Sequence, residues 1–201
     1  MAVLPMFPLG SVLFPHMPLG LRVFEERYLI MLSTMVDQKQ TDFGVVLIER
    51  GREVGGGEHR FQLGTVASIT GLGAQDGMVA LTAVGTTRIA VTEWLPDEPH
   101  PRAETRELPE LVWESHLKEQ FDETEQLVRR TLAQASEFEE NSWPPDLELS
   151  DDPLAALWQL AGIAPVGALD QISLLGSTSA EELLQRIATI TADAAFGYGA
   201  R

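Results

Sequence analysis

The sequence contains no cysteine and only two lysines, Lys39 and Lys118. The absence of cysteine excludes disulfides, thiolate metal sites and a cysteine nucleophile. Neither lysine follows a glycine-rich segment, so the loop with which nucleotide-binding proteins surround phosphate is missing. No apolar run approaches the roughly 18 residues that span a bilayer, and the N-terminus does not have the features of a secretory signal. We therefore expect a cytoplasmic protein without a membrane segment.

No residue pattern typical of an enzyme centre is present. The four histidines, at positions 16, 59, 100 and 116, are scattered and lack the spacing of a helical metal-binding motif. Ser115 and Lys118 form the one possible serine–lysine pair, but Lys118 belongs to a charged, solvated helix face that does not activate a serine. We expect no catalytic residue, no metal and no cofactor, and we predict that the protein is not an enzyme.

Acidic residues outnumber basic residues by 30 to 14, which gives the 201-residue chain a net charge of −16. Residues 1–109 carry 13 acidic and 9 basic side chains, whereas residues 110–201 carry 17 and 5. Such a charge repels a phosphate backbone unless basic residues cluster locally. The charge difference coincides with a change from short β-like runs to long helical patterns near Pro109. We interpret this change as the boundary between two domains, 1–109 and 110–201.

Short apolar runs separated by turn residues dominate the first domain. They are rich in valine, isoleucine and threonine and predict four strands, at 43–49, 63–72, 78–85 and 88–95. Asp76-Gly77 predicts a tight hairpin between two of these runs, and Gly85-Thr86-Thr87 predicts the next turn. Gly55-Gly56-Gly57, which no lysine follows, predicts a flexible hairpin.

The segment before these strands combines prolines with one helical pattern. Its first 18 positions hold four prolines, which confine residues 4–7 and 11–14 to edge strands or extended loops. Between residues 24 and 35, apolar side chains recur at spacings of three and four, which predicts one amphipathic helix. Glu25 and Glu26 lie in its first turn, where carboxylates interact favourably with the helix dipole.

Helical patterns continue through the second domain. Apolar side chains, with one threonine among them, recur every three or four residues between positions 113 and 135 and predict a helix. It should end at residues 139–142, before Pro144 and Pro145, which gives a length of about 28 residues. Asp152 before Pro153 predicts the start of another helix. Ser179, with Glu182 three residues later, predicts a capping box, and residues 166–175 are a candidate short helix before it. We expect these helices to form a small bundle.

Several segments together resemble the N-terminal domain of Lon proteases, the Lon substrate-binding domain family. Their order and spacing over residues 4–95 carry the resemblance. The segments are residues 6–10, 12–15, 18–25, 43–48 and 64–67, together with Arg27, Tyr28, Gly85 and Arg88. Residues 169–175 and 180–187 are similar to the helical region that follows this domain in the family.

The resemblance implies an α+β fold, in which a PUA-like β-barrel with one inserted helix precedes a helical subdomain containing the long helix. It also implies a non-catalytic protein-binding module, because the ATPase and peptidase centres of Lon proteases reside in later domains. We expect a free-standing protein without those domains, which binds unfolded or flexible polypeptides or acts as an adaptor for a separate Lon-type protease. The candidate polypeptide-binding residues are Met17, Leu19, Met31 and Met35, with core packing as the alternative for each.

Two other functions stay open on the sequence alone. PUA-like barrels often bind RNA, which would require a local cluster of arginines to overcome the net charge. The arginines available for it are Arg22, Arg27, Arg50, Arg52, Arg60 and Arg88. The second alternative is a hydrolase that uses carboxylates, for which Glu25 and Glu26 are an adjacent acid–base pair.

Overall fold

The computed structural model of the chain describes residues 2–50, 59–75, 78–136 and 143–199. It divides into two compact units, Met1–Pro109 and Glu110–Arg201. The hairpins predicted at Asp76-Gly77 and at Gly55-Gly56-Gly57 lie outside the described residues.

Six strands and one helix make up the first unit. In chain order they are β1 (Ala2–Leu9), β2 (Pro18–Val23), α1 (Glu26–Asp37), β3 (Asp42–Arg50), β4 (His59–Gln75), β5 (Met78–Leu95) and β6 (Arg102–Glu107). The strand order is β2-β5-β4-β3-β1-β6, and β5 also pairs with β6. The α+β class with one inserted helix is confirmed. The strands form a six-stranded sheet rather than a clearly closed barrel.

Strand β1 contains two prolines but is not an edge strand, contrary to the prediction. Its first half, Ala2–Pro5, pairs antiparallel with β6, and its second half, Met6–Leu9, pairs parallel with β3. In these pairings each half of β1 has a partner strand on one side only, β6 for the first half and β3 for the second. Proline is tolerated in this arrangement because its missing N–H is needed only on a side where a strand is paired.

Strand β5 runs without interruption through the turn predicted at Gly85-Thr86-Thr87. Its pairing with β4 shifts register between the Ala67–Gly85 pair and the Thr65–Arg88 pair, which marks a β-bulge. A Cβ atom at Gly85 would collide with the Phe14 carbonyl oxygen. The glycine thus permits a close approach of the preceding loop to the strand, rather than a reversal of the chain.

Helix α1 begins two residues later than the pattern indicated. Glu25 is its N-cap, and its buried side chains are those of Tyr28, Met31, Leu32 and Met35. Phe24 precedes the helix and is exposed, so it does not belong to the buried face. The sheet contributes a second buried cluster, composed of Met6, Val46, Val66, Ile89, Val91 and Ala103.

The second unit contains one short 3₁₀ turn and four α-helices. They are the turn Ser115–Leu117 and the helices α2 (Lys118–Ala135), α3 (Pro153–Ile163), α4 (Ala168–Leu175) and α5 (Ala180–Gly199). Helix α2 begins later than predicted because residues 113–117 are not α-helical, and the predicted end at residues 139–142 lies outside the described residues. The Trp113 ring instead packs edge-on against Phe121, with 5.8 Å between ring centroids. In a continuous helix these two residues would lie about 12 Å apart along the axis.

The helix starts predicted at Asp152-Pro153 and at Ser179 are confirmed. The Asp152 carboxylate accepts a hydrogen bond of 2.8 Å from the Ala155 amide, and Pro153 is the first residue of α3. At the start of α5, the Ser179 hydroxyl accepts from the Glu182 amide. The Glu182 carboxylate reaches back to the amide and hydroxyl of Thr178, both at 2.7 Å.

Candidate functional site

Three of the four predicted polypeptide-binding residues lie in the core of the first unit. Met17, Met31 and Met35 expose 4%, 0% and 2% of their surface. Their flexible side chains pack well in irregular interior spaces, which accounts for methionine at these positions. The expectation that these three line an exposed surface is corrected by their burial. Leu19 in β2 is only half-buried and stays a candidate.

An apolar groove lies where the end of β2 leads into the start of α1. Residues of β1, β2 and α1 line it, and its volume is about 100 Å³, enough for the end of one apolar side chain. We call it the β2–α1 groove. Its lining residues are Phe7, Leu9, Leu21, Arg22, Val23, Phe24, Glu25 and Tyr28.

Stacked aromatic rings and an ion pair hold one wall of the groove in place. The rings of Phe7 and Tyr28 stack with 4.0 Å between their centroids. The Arg27 guanidinium lies 4.5 Å from the centroid of the Tyr28 ring, and its Nε atom donates to Glu25 Oε2 at 3.1 Å. Glu25 therefore orients a guanidinium against an aromatic ring, a structural arrangement that accounts for this carboxylate without acid–base chemistry.

Phe24 is the most exposed apolar residue of the groove. It exposes 56% of its surface, although phenylalanine is among the residues most often buried. The reason is its position between the last residue of β2 and the N-cap of α1, where neither the sheet face nor the helix stripe covers it. The sequence signal was available, because Phe24 directly precedes Glu25 and Glu26, which are the N-cap and the first residue of α1.

A second cavity of about 700 Å³ lies elsewhere in the first unit. Its charged lining consists of Asp42, Glu107 and Arg106, and three threonines add hydroxyl groups. Two carboxylates against one guanidinium do not favour a phosphate or another anion. The β2–α1 groove, which is lined mainly by apolar residues, matches the apolar side chains of a polypeptide better than this polar cavity does.

Among the arginines considered for RNA binding, three whose side chains the structure describes are already engaged by other groups of the protein. Arg60 makes a bidentate ion pair with Asp97, with 2.6 Å between Nη2 and Oδ2. Arg88 is buried, donates from Nη2 to the Pro109 carbonyl at 2.7 Å, and has its pKa lowered by this burial. Arg27 pairs with Glu25 as described above, and Arg52 lies outside the described residues.

Within the described ranges, no three histidine, aspartate or glutamate side chains come together as a metal site would require. Lys118 forms an ion pair with Asp122 on the exposed face of α2. Among the described helices, none is both long enough and apolar enough to span a membrane.

Comparison with known proteins agrees with the fold. Residues 3–193 match the family model of the ATP-dependent protease La (LON) substrate-binding domain. The structure is similar to that of a Lon N-terminal domain protein from Xanthomonas campestris, with a TM-score of 0.68, 23% identity, and coverage of 94% of this chain and 98% of that chain. It is also similar to the N-terminal domain of a Mycobacterium avium complex Lon protease, with a TM-score of 0.64, 18% identity, and coverage of 96% and 99%. No curated protein sequence matches significantly.

The family match extends over both units, and the two related structures share the fold over nearly the full length of this chain. The β2–α1 groove therefore belongs to a fold whose family is defined by substrate binding. The chain is a member of the family of the ATP-dependent protease La (Lon) substrate-binding domain.

Proposed function

We propose that this protein binds unfolded or flexible polypeptides at the β2–α1 groove. The observation that carries the proposal is the exposed Phe24 side chain in a groove lined mainly by apolar residues, in a domain of a substrate-binding family. Unfolded polypeptides expose apolar side chains that folded proteins bury. Removing those side chains and Phe24 from water together provides a favourable free energy of binding.

The net charge of −16 supports a protein ligand over a nucleic acid. It also favours solubility of a protein that displays an apolar side chain on its surface. We further propose that bound polypeptides are substrates of a Lon-type protease, for which this protein acts as an adaptor. Binding rather than catalysis is the proposed activity.

The test of polypeptide binding uses fluorescently labelled casein and anisotropy titration. We expect Phe24→Ala to weaken binding about tenfold, because a half-exposed phenylalanine buries the rest of its surface in the complex. The matched control is Phe196→Ala, which removes a phenylalanine that is 80% exposed in the second unit. Equal affinities for the wild-type protein and Phe24→Ala would exclude the β2–α1 groove as the site.

The adaptor role requires a separate measurement with an intact Lon-type protease and ATP. We expect the wild-type protein to accelerate casein degradation by that protease, and Phe24→Ala to accelerate it less. An unchanged degradation rate in the presence of the wild-type protein would contradict the adaptor role while leaving polypeptide binding intact.

A further inference from the structure

Strand β2 lies at one end of the strand order. It pairs antiparallel with β5 over its whole length, from Pro18 opposite Val84 to Val23 opposite Val79. Within the described part of the chain, no strand pairs with its other side. An edge of this kind presents backbone N–H and C=O groups that a further extended chain can bond.

The register determines which backbone groups face outward. The Gly85 amide donates to the Met17 carbonyl at 2.9 Å, directly before the Pro18–Val84 pair. Because an antiparallel ladder alternates, Leu19, Leu21 and Val23 then bond toward β5, as Met17 does. The outward-facing backbone groups belong to the three residues between them, which are Pro18, Gly20 and Arg22.

Proline has no N–H, so the outward donors of β2 are the amides of Gly20 and Arg22. Both residues are exposed, and a Cβ atom at Gly20 would meet nothing within 4 Å. The two amides are separated by one residue, which is the spacing at which an extended partner strand presents its acceptors.

The free edge continues into the β2–α1 groove. Leu21 and Val23 line this groove, and the exposed Arg22 lies between them on the edge. A chain that pairs with the edge would run beside the groove and direct every second side chain toward one face. Backbone pairing and side-chain recognition are therefore available to the same ligand.

We propose that an extended segment of a client polypeptide adds to β2 as a further strand and places an apolar side chain in the β2–α1 groove. The proposal rests on the proposed function and specifies its binding mode. An extended polypeptide fits because alternating amide and carbonyl groups at strand spacing are matched by another extended backbone. Backbone pairing also makes recognition tolerant of client sequence, since only the side chain in the groove is selected.

The test compares two substitutions at one position with a single probe, a fluorescein-labelled eight-residue peptide of alternating valine and threonine with a central phenylalanine. Gly20→Pro removes an outward amide without removing a bond to β5, and we expect about fivefold to tenfold weaker binding by anisotropy. Gly20→Ala keeps the amide and is the control, with affinity expected within about twofold of the wild-type protein. Equal affinities for the proline and alanine variants would overturn strand addition.

A second measurement uses only the wild-type protein and does not depend on how Gly20→Pro folds. Two versions of the peptide carry N-methyl groups on alternate residues, one on the even and one on the odd positions. Strand addition predicts that one version binds at least fivefold more weakly than the other, because only one set of amides faces β2. Equal binding of the two versions overturns strand addition but leaves polypeptide binding at the groove standing.

Two further outcomes are informative. If the wild-type protein binds neither casein nor the peptide, the proposed function itself fails. If sedimentation shows a concentration-dependent dimer that Gly20→Pro abolishes and Gly20→Ala retains, the edge is occupied by a second copy of the chain, and the client-strand proposal is overturned.

Discussion

The secondary structure of the two units forms through contacts of different range. In the first unit, residues at its two ends pair directly, as Ala2 does with Thr105. In the second unit, helices begin at contacts between residues three or four apart, such as Asp152 with Ala155. The charge differs as well, since 17 of the 30 acidic residues but only 5 of the 14 basic residues follow Pro109. The difference in contact range indicates that the first unit depends on close packing between its strands. The second unit depends on its helix caps and on the core between its helices.

A core substitution in the second unit should give the largest loss of stability. Leu160 in α3 exposes 0% of its surface, so Leu160→Ala should lower the free energy of unfolding by about 3 kcal/mol. The control is Leu169→Ala in α4, where the leucine is 70% exposed and the expected loss is below about 0.5 kcal/mol. Urea unfolding followed by far-ultraviolet circular dichroism measures both. A similar loss for the two variants would contradict the assigned helical core.

Close packing of strands in the first unit should give the next largest effect. At Gly64 in β4, a Cβ atom would collide with the Val45 carbonyl oxygen and lie 2.7 Å from Val46 Cγ1. Gly64→Ala should therefore cost about 2 kcal/mol in unfolding free energy. Gly73→Ala in the same strand meets nothing within 4 Å and serves as the control. If both variants unfold at the same urea concentration, β3 does not pack as closely against Gly64 as the structure shows.

Loss of one helix cap should have a smaller effect, restricted to the second unit. Asp152→Ala removes the acceptor of the Ala155 amide and should cost about 1 kcal/mol. Asp151→Ala removes the same charge from the preceding, exposed position and is expected to be nearly neutral. Thermal unfolding of the two variants distinguishes the cap from a general effect of acidic charge.

The smallest effect concerns the pH dependence of the second unit. Hydrogen bonds from the Thr178 amide and hydroxyl lower the pKa of Glu182, and the nearby Arg186 guanidinium lowers it further. A carboxylate with a lowered pKa in the folded state stabilises that state above its ordinary pKa, and this contribution is lost as the pH falls through the lowered value. Glu182→Gln should therefore reduce the loss of stability between about pH 5 and pH 3.

The matched control for this measurement is Glu181→Gln, which removes a carboxylate from the same helical turn without touching the bonds to Thr178. Urea midpoints at a series of pH values provide the comparison. Identical pH profiles for Glu182→Gln and Glu181→Gln would show that the Thr178 bonds have no energetic role.

The same difference in range explains which parts of the fold could be predicted. Asp152, Pro153 and Ser179 indicate helix starts through bonds to residues a few positions away, and both starts were predicted correctly. Helix α1 was recognised because its buried residues recur at helical spacing. Local signals suffice in these cases because the bonding partners are close in the sequence.

Strand β6 was missed because four of its six residues are charged. Its two buried residues are Ala103 and Thr105. They lie on the buried face of the sheet only because β6 pairs with β1 and β5. Strand β5 was divided in two because Gly85 was interpreted as a turn residue, whereas the glycine accommodates a loop that precedes it by about 70 positions in the chain. No local pattern carries such information.

The site shows the same limits. From the sequence alone, the family resemblance, the helix carrying Met31 and Met35, and the expectation of a polypeptide-binding surface could be stated. Only the tertiary structure decided that these methionines are buried and that Phe24 is exposed. It also decided that no described strand pairs with the outer side of β2, beside the β2–α1 groove. The physical reason is that exposure depends on which distant strands cover a residue, while helical periodicity and capping depend on its near neighbours.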